Sequence, residues 1–300
     1  MTKFQLGDVT VIRVEEVLEP GFEATFLFRG FDPALRERHP QLALPNFFHS
    51  DSGKLISSVH SWLIQLQGKT ILVDTCSGNG KARALPLFRR FHMLDLPYLD
   101  NLRAVGVNPE DVDLVFCTHL HIDHVGWNTQ AKDGKWVATF PNARYLFGRA
   151  EYEHWCEGGA GRALLPENVD VIRDSVDPVV EAGLVDLVED GDEILPGLKA
   201  VVAPGHTKTQ LNLVYDRGGA RFVCSADVMA HPLQIYAPEL NGRFDEDHDT
   251  ARATRWRLLE YCAESGALLL PSHFGPPHAG IVERRPGGFA FKPAEDTGVQ

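Results

Sequence analysis

The sequence predicts an α/β fold in which helices cover sheets. Short runs rich in β-branched residues recur along the 300-residue chain, and several are apolar throughout, which is typical of strands covered on both faces. Segments with helical spacing lie between these runs. Because no linker, repeat or break in composition divides the chain, we expect a single domain over residues 1–300.

Runs of strand-forming residues mark the predicted strands in chain order. Residues 9–14 form the first, and residues 61–66 and 70–74 are separated by a turn-like Gln-Gly-Lys, which predicts a hairpin. The later runs cover residues 113–117, 143–148, 198–203, 211–216, 221–225 and 267–271. Most of the later runs lack polar alternation, so they predict buried strands.

Helical segments are predicted between the strands. Apolar residues recur three apart over residues 97–106, where a glycine ends the pattern. A longer helix is predicted over residues 249–266, from a candidate N-cap at Asp249 to the glycine at residue 266, which ends it. The Pro/Gly-rich stretch at residues 156–168 is interpreted as a long surface loop.

Composition argues against several classes of partner and location. The net charge is −12 and no basic face is evident, so we expect neither nucleic acid nor a membrane as a partner. The N-terminus lacks a signal-like apolar stretch, and no run approaches 18 apolar residues. Five scattered cysteines without a C-x-x-C pair suit reduced thiols. These features predict a cytoplasmic protein.

Residues 20–50 are rich in phenylalanine but follow neither a helical nor a strand period. The simpler interpretation is that these phenylalanine side chains pack on the hydrophobic core. The functional alternative is an apolar lid over the site or a contact in a homodimer.

Three histidines and an aspartate lie within the six residues HLHIDH, directly after a predicted strand. His119 and His121 alternate in an extended segment, so both side chains point to one side. Asp123 and His124 follow where the chain turns, so they can face a second point close to the first. Imidazole and carboxylate are ligands that zinc accepts, and the hexapeptide contains no cysteine for a closed thiolate site. The hexapeptide therefore predicts part of a catalytic metal site.

Three further candidate ligands occupy equivalent positions along the chain. His206, Asp227 and His273 each follow an apolar, strand-like run by a few residues. Together with the hexapeptide, four strands would deliver ligands to one edge of a sheet.

In order and spacing, HLHIDH, the Gly-His-Thr at residues 205–207, Asp227 and His273 resemble the metallo-β-lactamase-fold hydrolases. The resemblance extends over residues 61–273. It implies an αββα sandwich of two mixed sheets covered by helices. It also implies that Asp74, at the end of a predicted strand, supports the site without binding metal.

The resemblance further implies a site for two divalent metal ions, assigned as Zn²⁺. One ion would be bound by His119, His121 and His206, the other by Asp123, His124 and His273, with Asp227 bridging both. Two such ions would share a hydroxide as the nucleophile. Asp123 would also be catalytic, passing a proton to the leaving group.

Within this family, residues 124–155 and 226–280 resemble the branch that contains quorum-signal lactonases and methyl-parathion-type hydrolases. That branch implies a lactone or a fairly apolar carboxylic ester as substrate, with Trp127 or Trp155 and the Phe-rich segment lining the pocket. Ala230 departs from the best-known acyl-homoserine lactonases, which carry a substrate-contacting tyrosine three positions after the bridging aspartate.

Two alternatives stay open at this point. The same site could hydrolyse a phosphotriester, or the chain could be a non-catalytic metal-binding or sensor protein. His231 and His278 lie near candidate ligands in sequence and are predicted as pocket, supporting or surface residues.

Overall fold

The computed structural model describes residues 2–43, 47–156, 158–165 and 168–296. Tertiary contacts divide the chain into two compact units. The first unit combines Asp8–Glu16 with Val59–Glu189, and the second combines Thr2–Gly7 and Val17–Ser58 with the chain from Asp190 onward. Each unit is built from separate stretches of sequence, so no linker marks a boundary. The single domain over residues 1–300 stays a prediction.

A mixed sheet organises the first unit. The strands up to residue 189 are β1 (Lys3–Leu6), β2 (Val9–Pro20), β3 (Ile56–Leu66), β4 (Lys69–Val73), β5 (Leu114–Cys117), β6 (Thr129–Lys132), β7 (Lys135–Ala138), β8 (Arg144–Gly148) and β9 (Val185–Val188). Neighbouring strands of the sheet follow the order β2-β3-β4-β5-β8-β9, and β6 and β7 form a separate hairpin. Because β4, β5, β8 and β9 are parallel, their carboxyl ends share one edge.

The predicted hairpin between β3 and β4 is confirmed. Leu66 pairs with Lys69 in an antiparallel ladder, which leaves a two-residue turn. Gln67 and Gly68 both have positive φ, at 53° and 76°, as the tight turns that match strand twist require.

A second mixed sheet organises the second unit. Its strands are β10 (Glu193–Leu195), β11 (Leu198–Val202), β12 (Leu211–Arg217), β13 (Ala220–Ala226), β14 (Leu268–Pro271), β15 (Gly280–Arg285) and β16 (Gly288–Pro293), in that spatial order. Only β13 and β14 pair in parallel. Their carboxyl ends therefore lie side by side, and each is followed by a candidate ligand.

Helices in the described residues are short, with one exception. They are α1 (Ala24–Leu27), α2 (Ala34–Arg38), α3 (Tyr98–Ala104), α4 (Arg149–Trp155), α5 (Gly161–Leu164), α6 (Asn168–Val171), α7 (Asp177–Glu181), α8 (Leu233–Tyr236) and α9 (His248–Ser265). Short 3₁₀ turns lie at Pro40–Ala43, Pro86–Phe91, Pro109–Asp111 and Gly126–Asn128, and a π-helical turn at Ile172–Val176. No helix within the described ranges is long and apolar enough to cross a membrane.

The ends of α9 correct one prediction and confirm another. The predicted N-cap at Asp249 is wrong, because the Asp247 carboxylate accepts hydrogen bonds from the backbone N–H groups of Asp249 and Thr250. Gly266 follows the last helical residue with a φ of 67°, the left-handed conformation that glycine adopts most readily.

The Phe-rich segment contributes to the core of the second unit. Phe28, Phe47 and Phe48 are buried there together with Leu35 and Leu42. Residues 44–46 of this segment lie outside the described residues, and its role as a lid or dimer contact stays a prediction.

The Pro/Gly-rich stretch predicted as a loop is partly helical. It contains α5 and the first residue of α6, while residues 157, 166 and 167 lie outside the described residues. The predicted strands are all present, and the cysteines in the described residues are all free.

Candidate metal centre

The first set of candidate ligands lies at the carboxyl end of β5, in the first unit. The ligand atoms of His119 lie within 4.8 Å of those of His121 and of His124, and those of Asp123 and His124 are equally close. Nε2 of His124 is 3.7 Å from Oδ1 of Asp123. The three imidazoles are buried, whereas the Asp123 side chain is 17% exposed. One hexapeptide therefore supplies four potential metal-binding groups that lie close together.

Asp74 orients two of these imidazoles from the neighbouring strand end. Its Oδ2 accepts a hydrogen bond from Nδ1 of His124 at 2.8 Å. The Thr118 hydroxyl donates to the same carboxylate at 2.9 Å and lies 3.1 Å from Nδ1 of His119, which donates to it in turn. Both imidazoles then carry their proton on Nδ1 and present Nε2 as the metal-binding nitrogen. This is the supporting position that the resemblance implies for Asp74.

A tight crossing of two loops lies behind His124. The His124 carbonyl accepts from the Thr75 N–H at 2.7 Å, and the Gly126 N–H donates to the Cys76 carbonyl at 2.7 Å. A Cβ at Gly126 would lie 1.9 Å from the Ser77 carbonyl carbon, so only glycine fits. Asp74 and Cys76 both hold positive φ, at 58° and 50°. Backbone strain of this kind is typical of functional sites.

Glu16 binds one of the two crossing loops, and no pattern in the sequence predicted this role. Its carboxylate accepts from the backbone N–H groups of Ser77 and Gly78, at 2.8 and 2.9 Å, and from Nε1 of Trp127 at 2.7 Å. Burial raises the pKa of Glu16, while these donors act to lower it. The Trp127 indole, predicted to line a pocket, is buried and stacks on Tyr98.

The second set of candidate ligands lies in the second unit, on three separate loops. His206 follows β11, Asp227 follows β13, and His273 follows β14. Nε2 of His206 is 3.4 Å from Oδ2 of Asp227, and Nε2 of His273 is 3.1 Å from Oδ1. One carboxylate thus lies between two imidazoles, each facing a different oxygen.

Backbone geometry places His206 and fixes the proton of His273. Gly205 has a φ of 133°, and a Cβ there would lie 2.2 Å from Cα of Ala251 on α9, so glycine is required. Nδ1 of His273 donates to the Ser58 carbonyl at 2.9 Å, which leaves the metal-binding lone pair on Nε2.

Asp245 supports His206 and was not predicted. Its Oδ1 is 3.3 Å from Nδ1 of His206, while Oδ2 accepts from the Gly242 N–H at 2.7 Å and lies 3.5 Å from the Arg255 guanidinium. Asp245 lies 39 residues from His206 in an irregular segment, so no local sequence pattern predicted its role.

Two histidines near the ligands have other roles. Nε2 of His231 donates to the Phe47 carbonyl at 2.9 Å, and burial lowers the pKa of His231 to about 4. Nδ1 of His278 donates to the Phe274 carbonyl at 2.8 Å. Tyr236 bonds through its hydroxyl to the backbone of Phe291. His231, His278 and Tyr236 thus all form hydrogen bonds to backbone groups of the second unit.

The donor chemistry in each unit fits divalent metal ions. The two sets supply imidazole nitrogens and carboxylate oxygens without a thiolate, the combination found in catalytic rather than closed structural sites.

The chain belongs to the metallo-β-lactamase superfamily, whose family model matches residues 56–288. The recognition of this family from the hexapeptide and the three later ligands is confirmed, as is the fold of two mixed sheets with helices.

Comparison with individual proteins places the chain near lactonases. It is 36% identical to the N-acyl homoserine lactonase AttM of Agrobacterium fabrum over 66 residues, which cover 20% of this chain and 22% of that protein. The match thus spans about a fifth of this curated relative. This chain is also 26% identical to an N-acyl homoserine lactonase of Bacillus thuringiensis over 166 residues, which cover 52% of this chain and 57% of that protein.

A solved structure extends the likeness over nearly the whole fold. The hydrolase AbOPH of the β-lactamase superfamily superposes with a TM-score of 0.81 at 24% identity, covering 98% of this chain and 97% of that one. At this identity the likeness shows the fold.

Proposed function

We propose that the two ligand sets together bind two divalent cations and that the chain hydrolyses a lactone or a fairly apolar carboxylic ester. The observation that carries the proposal is the paired placement of imidazoles and carboxylates on loops that follow strand ends. His119, His124 and His273 each have Nδ1 engaged by an acceptor, so each directs Nε2 to a metal.

The ligands divide between two cations in this proposal. His119, His121 and His206 would bind the first, and Asp123, His124 and His273 would bind the second. Asp227 would serve both cations, which suits a carboxylate that faces two imidazoles through different oxygens. When bound, two such cations polarise a carbonyl oxygen and bring the pKa of water towards neutrality.

Asp123 has the exposure that a proton carrier needs. Its carboxylate is partly exposed while the neighbouring His124 is 1% exposed, so Asp123 can meet both substrate and solvent. We assign it the transfer of a proton from the attacking water to the leaving alkoxide. The neighbouring imidazoles are buried.

The substrate class rests on relatives and on chemistry. AttM and the Bacillus thuringiensis protein are named N-acyl homoserine lactonases, so a lactone is the first substrate to test. Trp155, which the resemblance places in the pocket wall, lies edge-on to His121 with ring centroids 5.3 Å apart, but it is 1% exposed and so packs against that imidazole out of reach of a substrate. Ala230 stands where the best-known lactonases carry a tyrosine that contacts the substrate, and the hydroxyl of the nearby Tyr236 is bonded to the backbone of Phe291. We therefore do not restrict the substrate to lactones that carry an acylamide substituent.

Zinc, a cytoplasmic location and a Phe-rich lid complete the proposal. Zinc accepts this nitrogen and oxygen donor set, and five free cysteines suit a reducing compartment. Residues 20–50 would cover the site as a lid or contact a second copy.

The test is turnover by the purified chain of a lactone panel, an aryl ester and paraoxon, before and after chelation and after zinc is restored. We expect lactone or ester hydrolysis that is lost on chelation and regained with zinc. A higher kcat/KM for paraoxon would make the chain a phosphotriesterase. Metal binding without any turnover would make it a sensor or storage protein.

A further inference from the structure

Arg255 is a buried arginine on α9 that contacts the long loop between β13 and α9. Its side chain is 0% exposed. Nε donates to the Val228 carbonyl at 3.0 Å, and Nη1 donates to the carbonyls of Pro238 and Leu240, both at 2.8 Å. Nη2 lies 3.5 Å from Oδ2 of Asp245. One guanidinium therefore contacts four acceptors that are spread over the whole of this loop.

The contact with Asp245 leads to His206. Oδ1 of Asp245 is 3.3 Å from Nδ1 of His206, and the Glu246 N–H donates to the His206 carbonyl at 3.0 Å. The other oxygen of Asp245 lies against Arg255 and accepts from the Gly242 N–H. Because the two oxygens belong to one planar carboxylate, fixing one of them restricts the other. Arg255 thus restrains the imidazole of His206 through Asp245.

The contact with Val228 leads to Asp227, which directly precedes it. The Val228 carbonyl accepts from Nε of Arg255, and the Val228 N–H donates to the Ser225 carbonyl at 3.2 Å. The peptide groups on both sides of Val228 are therefore engaged. Arg255 thus holds the turn that carries Asp227 at the end of β13.

We propose that Arg255 is a positioning residue for the metal site, holding His206 through Asp245 and Asp227 through Val228. The inference rests on the proposed function. Arg255 contacts no reacting atom in this scheme. It sets metal affinity, because ligands that are already held in place lose less freedom when a cation binds.

Two substitutions in the full chain separate the two contacts. Arg255→Gln places an amide nitrogen where arginine has Nε, so it can still donate to Val228, but it removes the cation beside Asp245. Arg255→Lys keeps a cation near Asp245 but has carbon at the position of Nε, so it cannot also donate to Val228. The first variant therefore releases His206, and the second releases Asp227.

Zinc affinity is measured by competition with a chromophoric chelator, and the free energy of unfolding of the metal-free chain by chemical denaturation. We expect Arg255→Gln to weaken one of two zinc equivalents about 10- to 100-fold, since His206 serves one cation in the proposed scheme. Arg255→Lys should weaken both equivalents by a similar factor, since Asp227 serves both.

Arg252 provides the matched control. It lies on the same helix, its side chain is 37% exposed, and it pairs with the exposed carboxylates of Glu239 and Asp249. Arg252→Gln and Arg252→Lys should bind zinc as wild type does.

Wild-type zinc affinity in either Arg255 variant overturns the inference, even if the free energy of unfolding falls, because a purely structural arginine would change stability alone. If one variant does not fold, the other decides. If neither folds, Asp245→Asn decides, because it keeps an oxygen for His206 but loses the ion pair with Arg255: weaker binding of one equivalent supports the inference, and unchanged binding overturns it. A wild-type chain that binds no zinc overturns the proposed function and this inference with it.

Discussion

The two ligand sets differ in how the chain builds them. In the first unit, four candidate ligands come from one hexapeptide after β5, so they are neighbours in the sequence. In the second unit, three candidate ligands come from three loops, and tertiary structure brings them together. Supporting carboxylates occur in both units: Asp74 holds two imidazoles of the first set, and Asp245 holds one of the second.

This difference determines which substitutions should affect the two sets most. The candidate ligands of the first set come from one hexapeptide after a strand end, so single changes in it should alter metal binding more than the fold. The second set depends on tertiary structure, with Asp227 as the residue that connects its two histidines. Substitutions in the two sets should therefore differ in their effects on metal binding and activity.

The largest effect is expected at Asp227. Asp227→Asn keeps the size of the side chain but removes the charge that faces both imidazoles, so we expect fewer than two metal ions per chain and activity near background. Elemental analysis and steady-state kinetics measure both. Asp216→Asn, on the exposed end of β12, is the matched control. A fully loaded and active Asp227→Asn would remove the bridging role.

Asp123→Asn should reduce kcat about 10²- to 10⁴-fold, the usual contribution of a positioned acid or base, because asparagine cannot carry the proton. Metal stoichiometry should fall less than in Asp227→Asn. The turn residue Asp133, exposed between β6 and β7, gives the control Asp133→Asn. If metal affinity changed and kcat did not, Asp123 would be a metal ligand without a part in proton transfer.

The supporting aspartates allow a direct comparison of the two units. Asp74→Asn should weaken metal binding about 10- to 100-fold, since supporting residues commonly contribute this much. Asp245→Asn should weaken it less, because Asp245 orients one imidazole at 3.3 Å whereas Asp74 contacts His124 at 2.8 Å and orients His119 through Thr118. Chelator competition ranks the two variants, and the reverse ranking would contradict the comparison.

The smallest effect concerns His231, a histidine of the second unit that is not a ligand. Its pKa is lowered by burial from 6.5 to about 4, so between these pH values the unfolded chain binds a proton that the folded chain does not. Stability from this group is present above pH 6.5 and is lost as pH falls towards 4, by ~3 kcal/mol.

Chemical denaturation at several pH values measures this linkage. His231→Gln should have a lower free energy of unfolding at pH 7 but a shallower loss on acidification than wild type. His248→Gln, at the partly exposed start of α9, should retain the wild-type slope. Parallel slopes for all three chains would show that His231 does not titrate as described.

Much of the fold could be predicted from sequence because it rests on local patterns. Apolar runs marked the central strands, and HLHIDH places four candidate ligands in six residues. The short edge strands β1, β9, β10 and the β15–β16 hairpin were missed, since partly exposed strands lack a continuous apolar run.

The supporting residues could not be predicted for a related reason. Glu16 and Asp245 are single carboxylates on separate elements: Glu16 lies 111 residues from Trp127, and Asp245 lies 39 residues from His206. Nothing in their own neighbourhood distinguishes them from solvated surface acids. Their function depends on burial, which only the folded chain reveals.

Reconstitution of the metal-free chain tests the central claim most directly. Zinc is added in steps to chelated, refolded protein while bound metal and lactone or ester turnover are measured together. The proposed function predicts that activity rises to a plateau at two zinc ions per chain. Full activity without metal, or two bound ions without turnover of any carbonyl ester or phosphotriester, would contradict it.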